Sequence, residues 1–183
     1  MKLFERLLSR LTDYAAVIGG LAMVVMMLQV TADVLGKYLF NQPVPATLET
    51  VSSYYMVALV FLPLGFVTKH HEHIVVELFT QGLSPRSLSL ISGLSNILAA
   101  LYVYTLAWRG LDEALYMTDI QESWETEIWD MQVWPARWFL PIGATLMLVW
   151  LALQALDNLS FAATGKRLIS QPRPHDPTED HAA

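Results

Sequence analysis

The stretch Asp33-Val-Leu-Gly-Lys-Tyr-Leu-Phe-Asn-Gln-Pro-Val-Pro-Ala-Thr-Leu-Glu49 decides how the chain is read. It separates two long apolar runs and holds the few groups that punctuate them. Asp33 and Lys37 stand four apart, on one face of a helix, where opposite charges meet. After Tyr38, the run Asn41-Gln42-Pro43 ends the helix, because proline lacks a donor and steers its predecessor away from helical angles. Glu49 opens the next helix, where negative charge suits the dipole. By itself the segment is a polar hairpin between two membrane spans, its charges marking the water boundary.

Working outward, four stretches lack any Asp, Glu, Lys, Arg or His: 14–32, 50–68, 87–108 and 138–156. Each is long enough to cross about 30 Å of hydrocarbon as a helix. Composition agrees: 54% hydrophobic residues and only 15% charged, where soluble domains carry about 25% charged. The fold class expected is an all-α membrane protein with four transmembrane helices at about 14–36, 48–68, 87–110 and 136–160, forming a membrane domain over 14–162. So many spans in 183 residues leave no room for a soluble catalytic domain, and an enzyme is not expected. The absence of cysteine excludes disulfides, thiolate metal sites and redox thiols.

Lys2, Arg6, Arg10, Lys69, Arg86, Lys166, Arg167 and Arg173 fall on one side of this arrangement, and only Lys37, Arg109 and Arg137 on the other. The positive-inside rule then places both termini and the middle loop in the cytoplasm, in a bacterial inner membrane. No small-residue cleavage site follows the first apolar run, so it reads as a retained span. Before it, residues 1–13 set Leu3, Phe4, Leu7, Leu8 and Leu11 on one helical face and Lys2, Glu5, Arg6 and Arg10 on the other. That pattern suits either a short amphipathic helix lying in the interface or the simple start of span one.

Within span one, Gly19-Gly20 permits close helix approach, and Met23, Met26 and Met27 fill gaps rather than bind copper. Span two carries Ser52, Ser53, Tyr54 and Tyr55 near its outer end, and Pro63 predicts a kink. Beyond it, His70, His71, Glu72 and His73 invite a haem or metal reading. Adjacent histidines point to different faces of a helix, and a haem would want histidines inside facing spans, so a solvated face is the better account. A short amphipathic run, Ile74, Val75, Val76, Leu78 and Phe79, then rests on the membrane surface.

Span three sets Ser89, Gly93, Asn96 and Ala100 at helical spacing, a stripe for packing against another helix. The loop after it gathers Asp112, Glu113, Asp119, Glu122, Glu125, Glu127 and Asp130 among Trp124, Trp129 and Trp134. Two readings stay open there: an interfacial aromatic belt with outward acids, or an acidic surface on which Glu122, Glu125, Glu127 and Asp130 dock a soluble partner. Span four opens with Trp134-Pro-Ala-Arg-Trp138 and Phe139-Leu-Pro-Ile-Gly143. Pro135 fits a first turn, and Pro141, about two turns in, is expected to bend the entry. The tail 163–183, rich in proline and charge, reads as disordered.

In three blocks the chain resembles the small membrane subunit (DctQ-type) of tripartite ATP-independent periplasmic (TRAP) transporters. Asp33 to Glu49 looks like the family's first hairpin: an aspartate, the basic-Tyr pair Lys37-Tyr38, Asn41 and Pro43, and Glu49 opening span two. Glu72-His73-Ile74-Val75-Val76-Glu77-Leu78 looks like its inner-loop segment. Trp134, Pro135 and Arg137 leading to Pro141 and Gly143, followed by Gln154, look like its fourth-span entry. Lys37 stands where arginine is common, and Glu77 where aspartate is usual.

The resemblance implies a transport system driven by a sodium gradient, in which a periplasmic binding protein delivers an organic anion to a membrane complex. A large multi-span subunit would hold the substrate and sodium sites, while this chain braces it and carries no cofactor of its own. The block residues and the span-three stripe are then candidates for structural or partner contacts, and the remaining partners are lipids rather than nucleic acid. Two other classes remain open: a haem-binding redox subunit and a self-contained small transporter. A span interior free of ionised groups favours the brace.

Overall fold

The protein is described by a computed structural model over residues 2–70, 85–125 and 130–164. Helix α1 (Lys2–Phe40) runs unbroken for 39 residues. No proline interrupts it, so residues 2–13 continue the axis of the first span, and Leu8 and Thr12 are buried in the helix packing. Of the two readings of residues 1–13, a helix lying in the interface or the start of span one, the continuous helix is the form the second describes. Span two, Thr47–Lys69, is built in pieces. A turn of α-helix, α2 (Thr47–Thr50), widens into a π-helical segment, Val51–Tyr55, and continues as α3 (Met56–Phe61). Pro63 then breaks the ladder before α4 (Leu64–Lys69), which is the kink its position predicts.

Helix α5 (Pro85–Asp119) extends about three turns past the charge-free stretch. Arg109, Asp112 and Glu113 end the apolar run but not the helix, since charged residues propagate a helix as well as most apolar ones do. The helix stops in a Schellman motif: Gln121 is left-handed (φ 49°), Glu122 N–H donates to Met117 O at 3.0 Å, and Gln121 N–H to Thr118 O at 3.3 Å. An antiparallel hairpin follows, β1 (Ser123–Glu125) against β2 (Asp130–Gln132), an element the all-helical expectation lacked. Residues 134–138 make a 3-10 turn that feeds α6 (Phe139–Thr164). Because α6 starts at Phe139, Pro141 lies in its first turn rather than two turns in. Its missing N–H belongs to the groups a helix start leaves unbonded anyway.

Four of these helical stretches are long and apolar enough to cross a membrane. They pack as a row and not as a closed bundle. Helix α1 lies on span two, span two lies on α6, and α6 lies on α5, while α1 and α5 stand at opposite edges. Helix α6 is accordingly the most buried of the four.

The edge helices make their contacts through narrow stripes. On α1 the inward positions are Leu8, Thr12, Ala15, Gly19, Ala22, Met26, Gln29, Asp33 and Gly36; from Val17 to Phe40 every other residue is exposed. On α5 the stripe Ser89, Gly93, Asn96 and Ala100 does face α6, and it continues through Val103, Ala107, Gly110 and Ala114. Both stripes alternate steps of three and four, the seven-residue repeat that gives left-handed crossings of about 20°. Small side chains let the backbones approach. Gly93 sits against Leu159, and Gly19 against Pro63, where an added Cβ would lie 3.0 Å from Cγ. Gly20, its neighbour, faces open space. On the other side of the same kink, a Cβ on Gly143 would run into the carbonyl oxygen of Phe61.

Candidate functional site

At the end of the row carrying the hairpin, the loop after α1 is folded by backbone geometry. Asn41 turns left-handed (φ 55°), which brings Gln42 N–H to Gly36 O at 3.2 Å. A Cβ on Gly36 would lie 2.7 Å from the Gln42 carbonyl oxygen, so the turn needs glycine there. Asp33 accepts from Val44 N–H at 2.7 Å. Its carboxylate thus ties the loop back to α1 instead of pairing with Lys37. Among the described residues the ion pairs are Lys69–Asp13 and Arg137–Glu122. Lys37, Tyr38, Asn41 and Pro43 are exposed, and Glu49 is half-buried in the first turn of α2.

Glu122 organises what lies beside that loop. The Schellman turn delivers its backbone to the hairpin, where its carbonyl accepts from Val133 N–H at 2.9 Å and Trp134 N–H at 3.4 Å. Its carboxylate takes two bonds from Arg137, Nε to Oε2 at 2.9 Å and Nη2 to Oε1 at 2.8 Å. This two-pronged grip holds the carboxyl below the usual glutamate range, burial opposing it and Trp124 adding a further bond. Trp138 Nε1 donates to Thr118 Oγ1 at 3.1 Å, a second link between α5 and the entry of α6. From span two, Tyr54 donates to the carbonyl of Gln132, and Tyr55 to Gln29 Oε1 of α1 at 2.7 Å. The two tyrosines of the π-helical segment thereby join the hairpin and the first helix.

The four acids grouped by sequence divide into unlike kinds. Glu122 turns inward and is used by Arg137. Glu125 and Asp130 are exposed and stand directly opposite each other in the hairpin register. Like charges so placed repel, which a cationic partner would relieve. Glu127 lies outside the described residues, as do Glu72, His73, the surface run 74–79 and residues 165–183 of the tail. His70, at the end of α4, tilts its ring over Phe66 at 4.4 Å.

The opposite end of the row holds polar contacts that the sequence reading did not assemble. Trp150 Nε1 donates to Thr12 Oγ1 at 3.0 Å, Gln154 Nε2 donates to Thr68 O at 2.6 Å, and Lys69 pairs with Asp13. Gln154 and Asp157 are 3% and 1% exposed, and Gln154 joins α6 to the backbone of α4 there. A signal was present: Trp150, Gln154 and Asp157 repeat at steps of four and three along a span, where polar residues turn toward other helices. At the fourth-span entry, Pro141 and Gly143 are buried, Trp134 and Arg137 are half-buried, and Pro135 starts the 3-10 turn. Asn96 is half-buried on the α5 stripe.

Set against known families, the segment 26–161 matches the model of the DctQ component of tripartite ATP-independent periplasmic transporters. No individual curated protein matches the chain. The family segment runs from the middle of α1 almost to the end of α6 and takes in the turn after Asp33, the Glu122–Arg137 joint and the buried glutamine. The chain therefore belongs to the family of DctQ components of tripartite ATP-independent periplasmic transporters.

Proposed function

We propose that this chain is the membrane brace of a sodium-driven uptake system for an organic anion, a carboxylate or sugar acid. Its partner in the bilayer is a large multi-span subunit that holds substrate and sodium, and a periplasmic binding protein delivers the cargo. The observation that carries this reading is the open row. Helix α1, about 58 Å long at 1.5 Å per residue, uses a stripe one residue wide for contacts within the chain. The rest of its apolar circumference is left to lipid and to a partner span. With both termini cytoplasmic, the hairpin faces the periplasm, and the exposed Glu125 and Asp130, together with Glu127, form part of the landing surface for the binding protein.

Purification in mild detergent tests the brace: a much larger multi-span protein should stay attached, and uptake should fail in cells lacking this chain. Coupled uptake by vesicles containing this polypeptide alone would refute it. For the landing surface, neutralising Glu125, Glu127 and Asp130 together should slow uptake most at low ionic strength, because screening already weakens such attraction in salt. Equal rates for mutant and wild type at every salt concentration would remove the acids from docking.

A further inference from the structure

Helix α5 carries a second repeating face, turned away from α6. Leu94, Leu101, Trp108 and Leu115 recur every seven residues along it, and all four are exposed. Between them, at the same interval and exposed as well, stand Leu98, Thr105, Asp112 and Asp119. The combined series alternates steps of four and three, the repeat that seats a second helix at a crossing of about 20°. No described element of this chain covers it.

Lipid accounts for only part of this face. The charge-free run 87–108 spans about 33 Å as a helix, enough to fill a hydrocarbon core of about 30 Å. Residues 109–119 carry the helix about 16 Å farther, past a headgroup layer of about 5–8 Å. Leu115, Tyr116 and Ile120, at 52%, 59% and 52% exposed, therefore stand bare where the chain has left the membrane. A bare apolar face in water marks a contact with another protein.

Asp112 and Asp119 choose the partner. They lie about 10 Å apart along the axis and take part in neither of the ion pairs formed among the described residues. Two copies of this chain meeting in parallel would set Asp112 against Asp112 and Asp119 against Asp119, and like charges so placed repel. A water-soluble protein reaches Leu115 but cannot follow the face down to Leu101 and Leu94 in the hydrocarbon. The remaining occupant is a different membrane protein, with a helix that emerges on the hairpin side and bears Lys or Arg opposite the two acids.

We propose that this face of α5 seats a transmembrane helix of the large partner subunit, one that projects past the bilayer and carries two basic residues one heptad apart. This rests on the reading of the chain as a brace for that subunit and adds an element that meets it. Leu94, Leu98 and Leu101 pack on the helix within lipid. Asp112 and Asp119 pair with its basic residues outside, and Leu115 is covered between them.

The test uses the full chain in membranes that also hold its transport system. p-Benzoylphenylalanine is placed at Leu101 and, separately, at Leu115, and the membranes are irradiated before extraction in mild detergent. Both positions should give a covalent adduct with the copurifying multi-span protein, and peptide mapping should put the two attachment points on one helix, about 21 Å apart along it. Asp112→Lys combined with Asp119→Lys changes exposed side chains alone. It should melt with the wild type and recover severalfold less of the multi-span protein, whereas Glu125→Lys combined with Asp130→Lys on the hairpin should recover as much as the wild type. A multi-span protein that copurifies but lacks either adduct would overturn the proposal and leave the brace standing; no multi-span protein copurifying with the wild type would overturn both. Adducts only with a second copy of this chain, or only with a soluble protein, would also overturn the proposal. So would undiminished recovery by the Asp112 and Asp119 variant, or equal losses from the two charge reversals, since net charge alone would then account for them.

Discussion

Replacing Gly143 with alanine tests the row where it is tightest. Helix α6 crosses α3 at this residue, and an added Cβ would overlap the carbonyl oxygen of Phe61. The obstacle is backbone, one residue before the buried Leu62 and two before the Pro63 break, so no rotamer change can move it aside. Overpacking of this kind costs about 1–3 kcal/mol, and the helix gains back at most about 1 kcal/mol for losing a glycine. Gly143→Ala should therefore destabilise by about 1–2 kcal/mol. At about 2–4 °C per kcal/mol for a chain of this size, the melting temperature should fall by about 2–8 °C.

Two companions make the comparison internal. Gly110→Ala meets the far end of the Leu140 side chain, which can rotate away, so its loss should be smaller. Gly20→Ala meets nothing within 4 Å and should be neutral or slightly stabilising. Intrinsic tryptophan fluorescence during heating reads all three, since the sequence contains 6 tryptophans. If Gly143→Ala melted with or above Gly20→Ala, α3 and α6 would not cross at this residue, and the packing order argued for the row would fall.

Other joints give sharper local tests. A double-mutant cycle on Glu122→Gln and Arg137→Ala should show coupling of about 1–2 kcal/mol, below the upper range for charged hydrogen bonds because Arg137 is partly exposed. Since the folded carboxyl of Glu122 titrates below its ordinary value, the pair's contribution is present above about pH 4.3 and lost as pH falls through the lowered value. Glu122→Gln should flatten that acid limb, and an unchanged limb would exclude the pair as its source. Gln121→Gly should raise stability by about 0.5–1 kcal/mol by relieving a left-handed side chain, less the entropy that glycine costs; lower stability would contradict the Schellman geometry. Trp150→Phe, which deletes the donor to Thr12, should cost about 1 kcal/mol, and Thr12→Val on that background should add little if the two hydroxyl and indole groups act as one bond.

Much of the fold was legible because lipid makes one demand that sequence states openly. Charge-free runs of span length located all four crossings, and Asn41 with Pro43 located the first turn. The run Ser89, Gly93, Asn96, Ala100 disclosed the face of α5 that meets α6. What failed to show has physical causes. Asp112 and Glu113 report where water begins, which is silent on where a helix ends, so the outer turns of α5 went unread. Strands of three residues, such as Ser123–Glu125, are too short for an alternating pattern to register. Glu122 and Glu125 look alike in a row of acids, and only the Schellman turn directs one inward and leaves the other in water. The ties from Thr12 to Trp150 and from Thr68 to Gln154 join distant parts of the chain, and their partners follow from the order of helices in the row, which no local pattern encodes.

That order also explains why the polar contacts lie where they do. A row has no central core to lock its helices: α5 rests on α6, and α1 rests mainly on span two and reaches α6 at one end. Sliding along such contacts would cost little if only dispersion held them. Directional bonds supply the missing restraint: Tyr55 to Gln29 and Trp150 to Thr12 fix α1 at two heights, while Trp138 to Thr118 and Arg137 to Glu122 fix the hairpin end of α5 against the entry of α6. Away from these bonds the glycines at 19, 93 and 143 bring the helices close enough that small shifts meet steric resistance. A plate pinned in this way resists shear while leaving its two broad faces apolar, which is what the proposed brace would need.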